Sequence, residues 1–379
     1  MNNNSVTAEY EVNLYIDGTL VGDCRQLAQG LKWIRRRTKV GADEIDFTLN
    51  DVLFNKWCLE RNTSLDKMLR PLALECRISR NGTSIVGGFL ATMPSYQPNQ
   101  TSANLALKFD GYLNLLNGVY IKPIGKVTGN MDALIQRFIS EADTRAATAG
   151  KAYGFTAGTL EQLPSIEHTF DNYKSTKEWI CDRSDNITGA GPFDVYFHAD
   201  KIYDVSASEH FGDVITDWVA NYPTKANQTS ATSISAQEVS GFASAVIGIG
   251  SGEISSNASE NTAIISEQVY SPAVLEYGYY ETIMQDSSVS TQTTLDNNTA
   301  TTLANTSTLV WQPEITLNGR NVQPMPTGTN KIWIGDTITI ANAEDLTGMT
   351  NGQFRVNELE VSIAANGAET IKPTLERAE

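Results

Sequence analysis

A chain of 379 residues, 41% hydrophobic and 19% charged, is long enough for two or three domains with real cores. Its formal net charge of −16 disfavours non-specific attraction to phosphate backbones, and no apolar run reaches the length of a membrane span; the best, Phe242 to Ile249, is short and broken by Ser and Gly. The opening MNNNSVTAEYEV has neither the basic region nor the apolar core of a signal peptide, so synthesis and use in a cytosol are expected.

Residues 9 to 90 read as strands at short intervals. Tyr10, Val12, Leu14 and Ile16 alternate up to Asp17-Gly18, a type I′ hairpin signal. Leu31 to Arg37 and Ile45 to Leu49 follow as strands, with a short helical turn at Asp51 to Trp57. Leu72 to Ile78 and Ile85 to Leu90 pair across Asn81-Gly82; Leu105 to Phe109 is a further strand, and Asp110 to Leu116 a short helix. The pattern predicts a small antiparallel barrel over residues 1–125.

The period then changes. Met131, Leu134, Ile135, Phe138 and Ile139 recur at helical spacing within 130–147. Ser175 with Glu178 forms a capping box that opens a second helix carrying Trp179 and Ile180, and a hairpin around Ala199-Asp200 completes an α+β module over 126–205. Strands are expected at 231–239 and 243–250, and from Val274 to the Tyr-rich end at Met284; Thr291 to Ser307 reads as a helix despite its many Thr residues. The polar stretch opened by Gly250, Ser251, Gly252 and Glu253 and running to Thr262 is the candidate mobile loop.

The last region carries the strongest β-signals. A strand restarts at 308–316, with Asn318-Gly319 as a turn. Thr337 to Ile340 alternate after Gly335-Asp336. In Phe354, Val356, Leu359, Val361 and Ile363 the apolar phase slips, which predicts a β-bulge near Asn357. Asn366-Gly367 then turns the chain into a final strand, Thr370 to Leu375. Three such strands need partners, expected at 231–250 and 308–323. A second, split barrel over 206–268 and 308–379 results, with 269–307 as an excursion completing the α+β module. The fold class is mostly β with an α+β insertion, and the unpaired edges are expected at Tyr10 to Ile16 and Ile315 to Val322.

Four stretches carry a resemblance: VIGIGSGE (246–253) closing a strand and opening a polar loop, LEYGYYETIM (275–284) before a polar helix, IGDTITI (334–340) followed by FRVNELEVSI (354–363), and GGFLATM (87–93) followed by LALKFDGYLNLLN (105–117). Together with the order barrel, α+β module, split barrel, they resemble the central baseplate-hub, or tail-tip, proteins of tailed bacteriophages and related contractile injection machines. The resemblance implies a homotrimer whose two barrels per chain build a six-fold-like annulus continuing the tail tube. It also implies neighbours: a distal tail protein above, tube or tape-measure protein, and a tip or fibre protein below. DNA would pass through the lumen without specific binding, in a virion tail assembled in the bacterial host cytoplasm. No enzymatic activity and no cofactor are implied. A distal-tail ring protein is the near alternative; it would carry one such barrel beside a β-sandwich.

Site chemistry is sparse. Cys24, Cys58, Cys76 and Cys181 form no C-x-x-C pair and read as free thiols; His168, His198 and His210 show no metal-ligand spacing. The glycines 248, 250 and 252 do not open a helix as a dinucleotide loop requires, and no G-x-S-x-G elbow is present. Tyr277, Tyr279 and Tyr280 would serve a carbohydrate-binding tail-fibre module, whereas a polysaccharide-degrading β-helix would need a repeat that is absent. Arg35, Arg36 and Arg37, with Lys39, form the most basic run and are the candidate intersubunit contact, because Arg pairs bidentately with carboxylates.

Overall fold

The computed structural model describes residues 8–94, 104–184, 192–222, 231–238, 241–253, 262–287, 289–307, 311–342 and 351–378. They divide into two compact units, residues 1–235 with 314–379, and residues 236–313. Residues 236–313, which contain the expected excursion 269–307, form a unit of their own.

The first unit begins with β1 (Tyr10–Ile16), β2 (Thr19–Asp23), β3 (Gln29–Arg36) and β4 (Glu44–Asn50), then α1 (Asp51–Leu59) and α2 (Leu65–Met68), then β5 (Leu74–Arg80), β6 (Thr83–Leu90) and β7 (Asn104–Gly111). Both expected I′ turns form: Asp17 and Gly18 lie at φ 50° and 79°, Asn81 and Gly82 at 49° and 77°. The predicted helical turn at 51 is a nine-residue helix, capped by the Asn50 side chain, which accepts from the Leu53 amide.

Next comes the α+β module. It runs through β8 (Tyr120–Ile121), β9 (Gly125–Asn130), α3 (Met131–Thr148), β10 (Thr156–Leu160), β11 (Ser165–Phe170), β12 (Lys174–Ser175), α4 (Thr176–Ser184), β13 (Phe193–Phe197) and β14 (Ile202–Ala207). Its core is separate from that of the large sheet and gathers Phe138, Phe170, Trp179, Ile180, Phe193 and Tyr203. The Glu178 amide donates to Ser175 Oγ at 3.3 Å, the first half of the expected capping box.

After β15 (Ala220–Tyr222) and β16 (Ala231–Glu238), the second unit holds β17 (Ala245–Ile249), β18 (Ile265–Val269), α5 (Ser271–Tyr277), β19 (Glu281–Gln285) and α6 (Gln292–Thr306). Its sheet has the order β18-β17-β19. Helix α6 packs on β17 and β18 so closely that a Cβ on Gly248 would lie 2.1 Å from Thr299 Oγ1. The strand expected from Val274 is a helix up to Tyr277. Pro272 suits a first turn, where no amide bond is lost, and Gly278 at φ 99° ends it.

The chain then returns to the first unit with β20 (Trp311–Asn318), β21 (Gln323–Pro324), β22 (Lys331–Ile332), β23 (Thr337–Asn342), β24 (Gly352–Ile363) and β25 (Glu369–Arg377). Asn318-Gly319 makes a turn but no hairpin, since β20 pairs with β25 instead. Asn366-Gly367 does close the β24–β25 hairpin, with Gly367 alone in the left-handed region at φ 79°. That is the three-residue loop rather than the two-residue I′ turn.

The strands of the two small barrels expected from the sequence join one sheet. Its ladder runs β16-β20-β25-β24-β3-β4-β7-β6-β5-β1-β2, with β23 on β24 and β15 on β23. It does not close into a barrel among the described residues. The expected edges are internal: β1 lies between β2 and β5, and β20 between β16 and β25. Instead β24 forks. One side follows β25; along the other, Gly352–Arg355 pair with β23 and Glu358–Ile363 pair with β3. The register shift between Val356 and Glu358 is the bulge expected near Asn357, and it marks the fork.

The two halves share one core, in which Leu14, Trp33 and Phe109 join Trp333, Phe354 and Leu359. Strands far apart on the ladder also meet through side chains. Glu369 of β25 accepts from Arg80 of β5 at 2.7 and 2.9 Å and from the Tyr10 hydroxyl of β1 at 2.5 Å, all three buried.

Candidate functional site at the sheet fork

Strand β3 alternates Leu31, Trp33 and Arg35 to one side, so Arg35 follows two apolar residues into the interior and is 1% exposed. A guanidinium survives there only with its donors engaged. Nη1 donates to Asp43 Oδ2 at 2.6 Å, and Nη1 and Nη2 both donate to the Phe197 carbonyl at 3.1 and 3.0 Å. Its planar carbon lies 4.3 Å from the Tyr196 ring centroid and 5.7 Å from that of Trp333. One side chain thereby touches β4's approach, β13 and the segment before β23.

Arg36 faces the other way and bridges Glu44 of β4, at 2.8 Å, to Glu358 of β24. Half-burial pulls its guanidinium down, but the bonds to Glu358 and Glu44 outweigh this and leave it above the ordinary arginine value. Arg37, 4% exposed, forms a bidentate pair with Asp194 of β13, Nη2 donating to Oδ2 at 2.7 Å and Nε to Oδ1 at 3.3 Å, and Ser208 Oγ donates to the same carboxylate at 2.8 Å. Its amide and Nη1 reach the bulge itself, at Asn357 O (2.9 Å) and Oδ1 (3.1 Å). Lys39 pairs with Glu376 at 2.6 Å. Burial pushes the Asp43 carboxyl up, against the opposing pull of Arg35.

The basic run was expected to face a neighbouring subunit. The structure instead commits Arg35 and Arg37 to carboxylates of their own chain, because the run crosses the point where the sheet fork meets the α+β module. Only Arg36 and Lys39 lie toward the outside. The residues that complete the junction (Asp43, Asp194, Tyr196 and Trp333) were not anticipated. A signal for one existed: Asp194 interrupts the apolar run Phe193 to Phe197, the mark of a buried and therefore paired carboxylate.

A second buried carboxylate sits close by. Asp336 accepts from the amides of Trp333 (2.8 Å) and Asp213 (2.9 Å), with Lys331 Nζ at 3.4 Å. Here two chain segments touch backbone to backbone. A Cβ on Gly212 would lie 2.1 Å from the Gly335 carbonyl carbon, and both glycines have positive φ.

Nothing around this junction offers a nucleophile with an accessible base. Among the described residues no three His, Cys, Asp or Glu side chains are placed to hold a metal. The four thiols are unpaired, and burial pushes those of Cys58 and Cys181 up to about 11. Each histidine is engaged: His198 with Asp204 at 2.7 Å, His210 with Glu161 at 2.5 Å, His168 with Arg183 at 3.1 Å. A cavity of about 780 Å³ beside Leu72, Phe89 and Leu115 has its charges internally paired, Lys201 with Glu75 and Lys151 with Asp17. Of the candidate mobile loop, residues 254–261 lie outside the described residues. Its stem is held, the Gly250 amide donating to Ile264 O at 2.9 Å and the Ser251 amide to Val289 O at 2.8 Å. Tyr277, Tyr279 and Tyr280 are exposed, as a recognition face requires.

No protein-family model matches the sequence, and no curated protein sequence matches it. Solved structures do match. The 43 kDa tail protein of prophage MuSo2 from Shewanella oneidensis has a TM-score of 0.60 at 11% identity, over 97% of this chain and 98% of that one. The tail protein from Neisseria meningitidis MC58 has a TM-score of 0.59 at 9% identity, covering 97% and 96%. A chain of the Francisella PdpA-VgrG complex has a TM-score of 0.51 at 9% identity; there 98% of this chain covers 58% of the other. End to end, the mostly β chain with its α+β module has the fold of the Shewanella and Neisseria tail proteins.

Proposed function

We propose that the chain is a structural, non-catalytic subunit of a phage tail or tail-like injection particle, a hub or tail-tip protein whose copies form a ring continuing the tail tube. The carrying observation is the β3–β24 ladder, by which the strands of the N-terminal and C-terminal halves continue into one another edge to edge within one chain. A subunit that supplies two such strand sets reaches a six-fold-like annulus with three copies, so a homotrimer is the expected assembly. The same observation favours the hub over a distal-tail ring protein, which would carry one such strand set beside a sandwich.

The fold shared with two tail proteins over nearly the full length of both chains supports the tail assignment. The net charge of −16 suits a conduit that must not retain DNA phosphates. In this reading the ring sits at the virion tail tip, between a distal tail protein and a tip or fibre protein. It meets the tube or tape-measure protein and is assembled in the bacterial cytoplasm. Native mass spectrometry with negative-stain imaging of the purified protein tests it. A three-chain mass with an annular outline is expected; a single-chain mass at every concentration, with no annulus, would remove the reading.

A further inference from the structure

The second unit is charged in an unusual way. Residues 236–313 contain eight Asp and Glu and not one Lys, Arg or His, so half of the net charge sits in about a fifth of the chain. No carboxylate in this unit can find a cation within it.

Among the described residues its sheet is also covered on one side only. Helix α6 packs against the face of Val246, Gly248 and Ser266, which are buried. On the opposite face the register aligns Val269, Ala245 and Glu281, then Glu267, Ile247 and Ile283, then Ile265, Ile249 and Gln285. Ile283 there is 65% exposed and Val269 52%, and Tyr279, 57% exposed, donates its hydroxyl to Glu281 at 2.7 Å. A contiguous aliphatic face studded with glutamates that have no cation in their own unit is not one that a soluble module leaves bare.

The first unit carries a surface of the opposite kind. Beside α3, a groove of about 560 Å³ is lined by Ile121, Ile124, Lys122, Arg145 and the ion pair Arg137–Glu141 (2.7 Å), which leaves Lys122 and Arg145 as its cations without a carboxylate among the described residues. A second groove of about 380 Å³ shares Lys122 and Arg145 and adds Tyr120 and Tyr173. Tyr120, Ile124 and Tyr173 are exposed. Lys122 has no carboxylate partner among the described residues, and Arg145 donates only to carbonyls, of Tyr120 and Glu141. In an acidic protein this strip is locally basic, with apolar side chains between its cations.

We infer that the acidic, aliphatic sheet face of the second unit in one copy docks on the basic groove beside α3 in the next copy. The inference rests on the ring reading and specifies one of its contacts. Two different patches on one subunit, each complementary to the other, make a head-to-tail contact, and such a contact closes a ring when its rotation allows. Apolar burial of Ile283, Val269 and Ile265 against Tyr120, Ile124 and Tyr173 supplies adhesion. Glu267 and Glu281 opposite Lys122 and Arg145 supply register and encounter rate.

Light scattering on three proteins tests it: wild type, the face variant E267K/E281K and the groove variant K122E/R145E, each checked for an unchanged thermal melt. The wild type is expected to assemble, and each variant alone to do so about 100-fold more weakly, from several like charges placed in contact. An equimolar mixture of the two variants is expected to regain a mass of two or more chains, since the swapped face of one now meets the swapped groove of the other only across molecules. An assembled wild type indifferent to both variants would overturn this contact and leave the ring standing. Sensitivity to the face variant alone, or a mixture that stays dissociated, would assign the face another occupant and overturn it equally. A wild type that is a single chain throughout would remove the ring and this contact together.

Discussion

The two units use charge in opposite ways. In the first unit cations are drawn inward: Arg35, Arg37 and Arg80 are buried against Asp43, Asp194 and Glu369. In the second there are no cations, and Glu267 and Glu281 stand on an open aliphatic face. A buried pair of charges gains little net stability over apolar residues, but it punishes any arrangement that leaves one charge alone. The first unit thus specifies how its own segments fit together, whereas the second leaves its specification to whatever covers it.

The largest effect should come from breaking a buried pair. Arg37→Ala leaves Asp194 desolvated without its guanidinium and should cost about 3–5 kcal/mol in urea unfolding, while Ile283→Ser on the open face should change stability by less than about 0.5 kcal/mol. Comparable losses from both would erase the contrast. The tight packing of the second unit gives the next effect. Gly248→Ala drives a methyl into Thr299 Oγ1 and should cost about 1–3 kcal/mol. Adding Thr299→Ala should recover most of it, and a non-additive double-mutant cycle is the measurement.

Ser175→Ala removes the cap of α4 and should cost about 1 kcal/mol, read as a lower melting temperature. The smallest effect is pH-dependent. The bond to Glu161 raises the pKa of His210 above its ordinary value. A raised folded pKa stabilises fully below the unfolded value, near 6.5, and the contribution fades as pH rises through the folded one. His210→Gln should flatten that slope in stability–pH curves. An unchanged slope would mean the contact is not maintained in solution.

Local chemistry made much of this fold legible. Asp-Gly and Asn-Gly turns, the periodicity of 131–148, the Ser175 cap and the bulge at Asn357 all depend on a few adjacent residues, and each reads directly. The β3–β24 pairing does not, because alternation tells a strand which face is apolar but not which distant edge it joins. Hence two small barrels were expected, but not the joining of their strands in one forked sheet. The arginine run failed for a related reason. Three cations in a strand look solvated until Asp43 and Asp194 arrive from other elements. Val274 to Tyr277 misled by composition, as Pro272 and Gly278 bound a helix too short to show a clear period.

The pairing of β3 with β24 also has a consequence for how the chain is made. Arg36 and Glu358, which face each other across that joint, are 322 residues apart. At ribosomal speeds of about 5–20 residues per second, β3 waits on the order of tens of seconds before its partner is synthesised. Throughout that interval Leu31, Trp33 and Ile34 lie along an open strand edge, with Arg35 and Arg37 beside it as bare charges. The nascent N-terminal half is therefore a hazard for edge-to-edge aggregation, and its cationic run acts as a gatekeeper before it becomes a clamp. A ribosome stalled anywhere before Glu358 would release a product with that edge uncapped.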